Sequence, residues 1–238
     1  MLVDYQAPYD DRVILMGSGV PTDRSMMLTK QFKGLELSQP VRLLEATPEY
    51  AVLQATNPTL IPLLEGMVSL HCQAFSTSII GRVEHMNYVD GIFHLADFSI
   101  QDWKQRQNER VQPRDPTYVT LRWRQKEGRV CLEDLSVSGM GVFAGREVGR
   151  EIKIEPGLIV HLDFKLCEYT FDHLEGRILY RQYVGQCVEK LGMRIFPNSK
   201  QRRSLEEYVA LRRQEILAEV SEIYIKARDP HGVEYQYF

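Results

Sequence analysis

Two arginines four positions apart, Arg106 and Arg110, lie in the polar run QDWKQRQNERVQPRDP that spans Gln101–Pro116. Downstream follows Asp134-Leu-Ser136-Val-Ser-Gly139-Met-Gly141. In a helical turn the two arginines would share one face; in an extended bend they could close around a ligand. Each guanidinium is a planar fork of donors that suits phosphate oxygens and the O6/N7 edge of guanine, and its flat face can stack on a purine. A carboxylate such as Asp134 accepts two hydrogen bonds at once, which complements the adjacent N1–H and N2–H donors of the guanine Watson–Crick edge. Ser136 adds a small donor and acceptor. Gly139 and Gly141 permit torsions closed to other residues and let a ligand approach the main chain. One good bidentate contact of this kind is worth roughly 1–3 kcal/mol of discrimination. Each half of the pattern alone also fits a solvated linker face or a strand-end turn; together they describe a site for a guanine nucleotide.

Other chemistries are poorly served. The sequence shows no nucleophile–base constellation and no GxxxxGK[ST] phosphate loop, so neither an enzyme nor a catalytic residue is expected. Cys72, Cys131, Cys167 and Cys187 are far apart with no CxxC spacing. They are expected to be small buried hydrophobes in a reducing cytoplasm rather than a disulfide framework or zinc site. The six histidines also lack ligand spacing, so no metal and no cofactor is expected. The formal net charge of −3 provides no global field for nucleic acid, and local arginines must hold any anionic ligand. Trp123 between Arg122 and Arg124 reads as a strand with its ring inward rather than as a stacking platform for single strands. No apolar run reaches the about eighteen residues a membrane span needs. Met1–Arg12 lacks the basic start and apolar run of a signal peptide, so a cytoplasmic location is expected.

The elements that must position these residues are mainly strands. Residues 1–28 show no clear period and read as a loosely held arm. Over residues 29–100 short strands are expected at Val41–Leu44, Ala51–Ala55, Met67–Phe75, Ile79–His85 and Ile92–Ala96, with a turn at Asn87–Gly91. Along Met67–Phe75, Val68, Leu70, Cys72 and Ala74 share one face, a period of two. Residues 101–116 form an arginine-bearing linker. Strands resume over 117–198 at Val119–Trp123, Arg129–Leu132, Val160–Leu166, Leu174–Tyr180 and Lys190–Phe196, and no intervening helix is expected. Gly66-Met-Val-Ser-Leu followed by Gly81-Arg-Val echoes Gly157-Leu-Ile-Val-His-Leu followed by Gly176-Arg-Ile, as two barrels of related plan would. Over residues 199–227 an amphipathic helix carries Leu205, Val209, Ile216, Val220 and Ile223 on one stripe. Asn198 or Ser199 is placed to cap it. Arg212 interrupts the stripe, so part of that face is expected to reach solvent or a partner. The helix packs on the barrel or on a second copy of the chain, as a homodimer.

The chain resembles the PilZ family, whose motif is R-x-x-x-R followed, after a strand, by D/N-x-S-x-x-G. Here it reads Arg106-Gln-Asn-Glu-Arg110 and Asp134-Leu-Ser136-Val-Ser-Gly139. The likeness runs from about Arg106 to Arg213 and takes in Gly157-Leu-Ile-Val-His-Leu, Glu175-Gly176-Arg-Ile-Leu, Leu191-Gly192-Met-Arg-Ile-Phe196 and the closing helix. Residues 29–105 look like the N-terminal domain of flagellar-brake-type proteins. The resemblance implies a mainly β fold of two tandem barrels, an N-terminal split barrel and a C-terminal six-stranded PilZ barrel, with a C-terminal helix. It implies a non-enzymatic receptor for cyclic di-GMP, with Arg106 and Arg110 on phosphates and guanine edges, Asp134 and Ser136 on a guanine, and Gly139 in the turn beneath. Arg114 is close enough to contribute but lies outside the motif. Gln105, where some relatives carry a further arginine, leans toward one ligand per site. The expected switch starts from a mobile Gln101–Pro116 linker that the dinucleotide orders. The new arrangement of the domains would signal to a partner protein, flagellar or polysaccharide-secretion machinery in such families. A ligand-independent protein-interaction adaptor is the alternative.

Overall fold

The computed structural model describes residues 26–47, 49–72, 77–102, 108–152 and 154–228, which fall into two compact units. The first unit is a closed antiparallel barrel of β1 (Met26–Phe32), β2 (Leu35–Ala46), β3 (Tyr50–Ala55), β4 (Gly66–Cys72), β5 (Thr77–Asn87) and β6 (Ile92–Asp102), in the order β1-β2-β3-β6-β5-β4. It closes where β1 meets β4, with Leu28 opposite Leu70. Period-two patterning drives closure: along β2, Leu35, Leu37, Gln39 and Val41 are buried while the residues between them are exposed. Phe93, Leu53, Leu95 and Leu28 fill the interior. A 3-10 turn, Pro58–Leu63, is started by the Asn57 side chain, which accepts from the Thr59 amide at 3.1 Å, and it buries Ile61. The turn expected at Asn87–Gly91 joins β5 to β6. Asn87 Oδ1 accepts from the amides of Val89 (3.0 Å) and Asp90 (3.2 Å), and Gly91 takes the left-handed φ of 66°. β1 begins at Met26, inside the range read as an arm; residues 1–25 lie outside the described residues.

The second unit repeats the plan. Strands β7 (Tyr118–Trp123), β8 (Lys126–Leu135), β9 (Gly139–Gly145), β10 (Ile159–Leu166), β11 (Tyr169–Tyr183) and β12 (Val188–Phe196) close in the order β10-β11-β12-β9-β8-β7. Numbered within each barrel, both rings read one-two-three-six-five-four. The sequence echo falls on the fourth and fifth strands of each ring. Gly66 and Gly157, at the start of or just before the fourth strands, both adopt left-handed φ, 80° and 92°. Gly81 and Gly176 let Phe98 and Leu162 lie over the fifth strands.

A short helix, α1 (Arg146–Ile152), separates β9 from β10, contrary to the helix-free barrel expected. Gly149 interrupts the helical signal in its sequence. A methyl group there would lie 2.6 Å from Glu189 Oε2, so the glycine admits a buried ion pair. Glu189 is fully buried and takes two bonds from Arg181, at 2.6 and 2.7 Å, while Arg181 also donates to the Ile154 carbonyl at 3.1 Å.

The C-terminal helix α2 (Ser199–Arg228) opens with a reciprocal cap. Asn198 Oδ1 accepts from the Gln201 amide at 2.9 Å, and Gln201 Oε1 accepts from the Asn198 amide at 3.0 Å. Leu205, Val209, Ile216 and Val220 are buried as the stripe requires, while Ile223, expected on the same stripe, is only half-buried. Arg212 does not break that face open: it is 3% exposed, because its stem follows the apolar stripe and its head donates to the Gln112 carbonyl (3.1 Å) and to Glu215 (2.8 Å). The cysteines also depart from expectation. Cys131 is half-buried and Cys167 and Cys187 are exposed, since the latter two occupy turns between strands rather than inward positions.

Candidate functional site

The lip of the second barrel is built by a β-bulge. Leu132 pairs with Val142 and Asp134 with Gly141, so Glu133 is an extra residue in β8. Without it the alternation of Val130 and Leu132 would carry Asp134 into the core. With it, Leu135 points inward, fully buried, and the Asp134 carboxylate emerges on the outer face. Gly141 stands opposite, where a methyl group would lie 2.9 Å from Asp134 Oδ1. At Gly139 a methyl group would lie 3.0 Å from Arg110 Nη2. Neither glycine has a left-handed φ. Both are small because side chains cross them, not because their torsions exclude other residues.

The Ser136–Gly139 turn is self-braced. The Ser136 amide donates to the Gly139 carbonyl at 2.8 Å and its hydroxyl donates there at 3.1 Å. The Ser136 hydroxyl oxygen also accepts from the Ser138 amide at 3.4 Å, and Ser136 is 2% exposed. Its first role is therefore to shape the turn.

The linker was expected to be mobile over Gln101–Pro116. From Asn108 to Arg114 it is instead fixed by protein contacts. Val111 is fully buried and exchanges two 2.9 Å main-chain bonds with Leu135, a one-residue extension of the sheet that explains the rest. Next to it, Arg110 Nη1 donates to Asp134 Oδ1 at 2.8 Å. Both side chains are largely shielded, so this charge-assisted bond is worth about 1.5–3 kcal/mol. Asn108 donates to Ser138 Oγ at 2.7 Å, Arg213 to Glu109 at 3.2 Å, and Arg212 to the Gln112 carbonyl at 3.1 Å.

These groups border an open cleft of about 490 Å³, lined by Asn108, Arg110, Ser136, Ser138, Gly139, Leu179, Met193, Arg194 and Arg202. Such a volume is usual for small-molecule sites. Of the motif residues, Arg110, Ser136 and Gly139 reach the lining, and Asp134 stands behind Arg110 as its ion partner. Arg106 and Gln105 lie outside the described residues. Arg114 is not in the lining; it is exposed and reaches toward Glu215 at 3.9 Å.

Sequence reasoning missed Arg194, Arg202, Asn108, Ser138 and Leu179 as site residues. Arg194 stands directly opposite Gly139 across the β9–β12 ladder, a pairing of strands distant in sequence. Leu179 is the extra residue of a second bulge, between Ile178 and Tyr180 in β11, which turns an apolar side chain, 52% exposed, toward the cleft. The cleft thus combines cationic donors with the exposed apolar side chain of Leu179. It can hold a phosphorylated ring system.

No family model matches the chain, and no curated protein does. Solved structures are similar to it. The Escherichia coli YcgR complex with c-di-GMP aligns with a TM-score of 0.44 at 14% identity, over 84% of this chain and 88% of that one. The MrkH–c-di-GMP complex of K. pneumonia aligns with a TM-score of 0.44 at 11% identity, over 82% of this chain and 90% of that one. The Bacillus subtilis inhibitor of motility, MotI/DgrA, aligns with a TM-score of 0.42 at 12% identity, over 83% of this chain and 99% of that one.

Proposed function

We propose that the chain is a receptor for cyclic di-GMP, with the ligand seated in the cleft beside Arg110 in the second unit. The observation that carries this reading is the meeting of the two motif halves: Arg110 and Asp134, 24 residues apart, bond at 2.8 Å beside Gly139. A cyclic dinucleotide has two phosphates and two flat guanines. The guanidiniums suit the former, and the latter fit the guanidinium faces and the apolar flank at Leu179. Asp134 either steers Arg110 or turns one oxygen to a guanine edge. The motif resemblance adds Arg106 as a second phosphate or guanine contact and does not include Arg114.

The receptor acts by population shift. Binding at the linker changes the arrangement of the two barrels, and a partner protein of the motility or polysaccharide-export kind reads the change. A hundredfold preference of the ligand for one arrangement supplies about 2.7 kcal/mol.

Isothermal titration tests the reading. Cyclic di-GMP is expected to bind saturably while cyclic di-AMP and GTP do not, and Arg110→Ala is expected to abolish the heat. No heat with cyclic di-GMP would overturn the receptor and leave the ligand-independent adaptor.

A further inference from the structure

We infer that Arg194 and Arg202, both outside the motif, supply the net positive charge that holds the two phosphates of the dinucleotide; this rests on the reading proposed above. Arg110 is not a free cation. Its charge is already matched by Asp134 at 2.8 Å, so the described half of the arginine motif is a neutral pair. A dianion gains little from it beyond directed hydrogen bonds. The cleft lining holds three arginines and no carboxylate, so any surplus charge comes from the other two.

Other arginines of this unit are divided: Arg124, Arg129, Arg146 and Arg177 lie over aromatic rings away from the cleft lining, with no carboxylate partner among the described residues, while others are paired. Arg122 meets Asp163 at 2.7 Å, Arg181 meets Glu189 at 2.6 Å, Arg212 meets Glu215 at 2.8 Å and Arg213 meets Glu109 at 3.1 Å. Arg194 and Arg202 have no carboxylate partner among the described residues. Both line one cleft that holds no carboxylate, so an anion received there meets two uncompensated charges, and two is the charge of the ligand.

Both arginines are presented from rigid elements. Arg194 is on β12 opposite Gly139, with its guanidinium 5.6 Å from the Phe196 ring, a cation–π contact that limits its rotamers. Arg202 is in the first turn of α2. Its main chain donates to the Asn198 carbonyl at 2.8 Å, and neighbouring Gln201 anchors that turn to the Asp172 carbonyl at 3.0 Å. With Arg110 on the docked linker, the cleft receives guanidiniums from a strand, a helix and a connector. Such convergence lowers the ordering cost of binding.

The test uses the full chain and cyclic di-GMP, with affinities measured at several salt concentrations for the unaltered protein, R194A, R202A, the double variant and R129A. Arg129 is exposed on the Tyr118 ring, away from the cleft lining. Each single variant is expected to bind about tenfold more weakly, as loss of one charge-assisted contact implies. The double variant should bind about a hundredfold more weakly, with a shallower salt dependence, while R129A stays at the unaltered affinity. Binding by the double variant within about twofold of the unaltered chain, with an unchanged salt slope, would overturn the inference and leave the receptor reading intact. No binding by the unaltered chain would overturn the receptor reading itself, and this assignment with it.

Discussion

On the first barrel Arg82 is met by Asp97 at 2.6 Å and by Glu84 at 2.8 Å; at the cleft of the second, Arg194 and Arg202 meet no carboxylate among the described residues. The rings share one strand order, so topology does not explain the difference. What differs is local. The second barrel carries a bulge that re-aims an acid and a linker residue that adds itself to the sheet. In the first barrel, bulges between Ile80 and Arg82 and between Val83 and His85 flank an arginine whose charge is matched by two carboxylates. On the reading proposed above, the matched and unmatched arginines around the second barrel's cleft are what receive the anion.

The comparison can be sharpened or broken by substitution. Glu189→Ala should have the largest effect on folding. It removes the buried partner of Arg181 and should lower the stability of the second unit by about 3 kcal/mol, read as a lower denaturation midpoint with the first barrel's transition unmoved. Gly139→Val comes next: its added atoms collide with Arg110, so cyclic di-GMP affinity should fall about tenfold or more, and strain on the Arg110–Asp134 bond should lower the thermal midpoint as well. An unchanged affinity would detach the lip from the ligand. Third, Gln39→Leu in the first barrel should stabilise. Gln39 is 4% exposed and its amide has no hydrogen-bond partner among the described residues, so an apolar side chain of similar size should add about 1–2 kcal/mol, measured by chemical denaturation. A loss of stability would show that the amide is satisfied within the barrel. The smallest effect is expected for Arg82→Ala. Exposed pairs contribute under about 1 kcal/mol, and nucleotide affinity should not change. A large effect on binding there would end the contrast between the barrels.

Much of this was legible in the sequence, and the rest was hidden for identifiable reasons. Val160–Leu166 and Met67–Cys72 announce themselves because one face of each is core. β9 does not: it begins and ends in glycine, and Gly139 and Gly141 are set by the side chains that cross them, which a one-dimensional pattern does not reveal. α1 was obscured by Gly149, whose lack of a side chain accommodates Glu189 from a distant strand. Arg212 looked like a breach in the helix stripe because the stripe carries no sign of the Gln112 carbonyl that receives it. The motif pointed to Arg110, Ser136 and Gly139. Arg194 was invisible because its place beside Gly139 depends on β12 pairing with β9, a neighbour relation that sequence order does not express.

The most direct test of the central claim is a crystal structure of the chain grown with cyclic di-GMP. The account predicts the dinucleotide in the cleft bordered by Arg110, Gly139 and Leu179, with phosphate oxygens within hydrogen-bond distance of Arg194 or Arg202. A dinucleotide bound elsewhere on the molecule, or a cleft of unchanged arrangement and no nucleotide at saturating concentration, would contradict it.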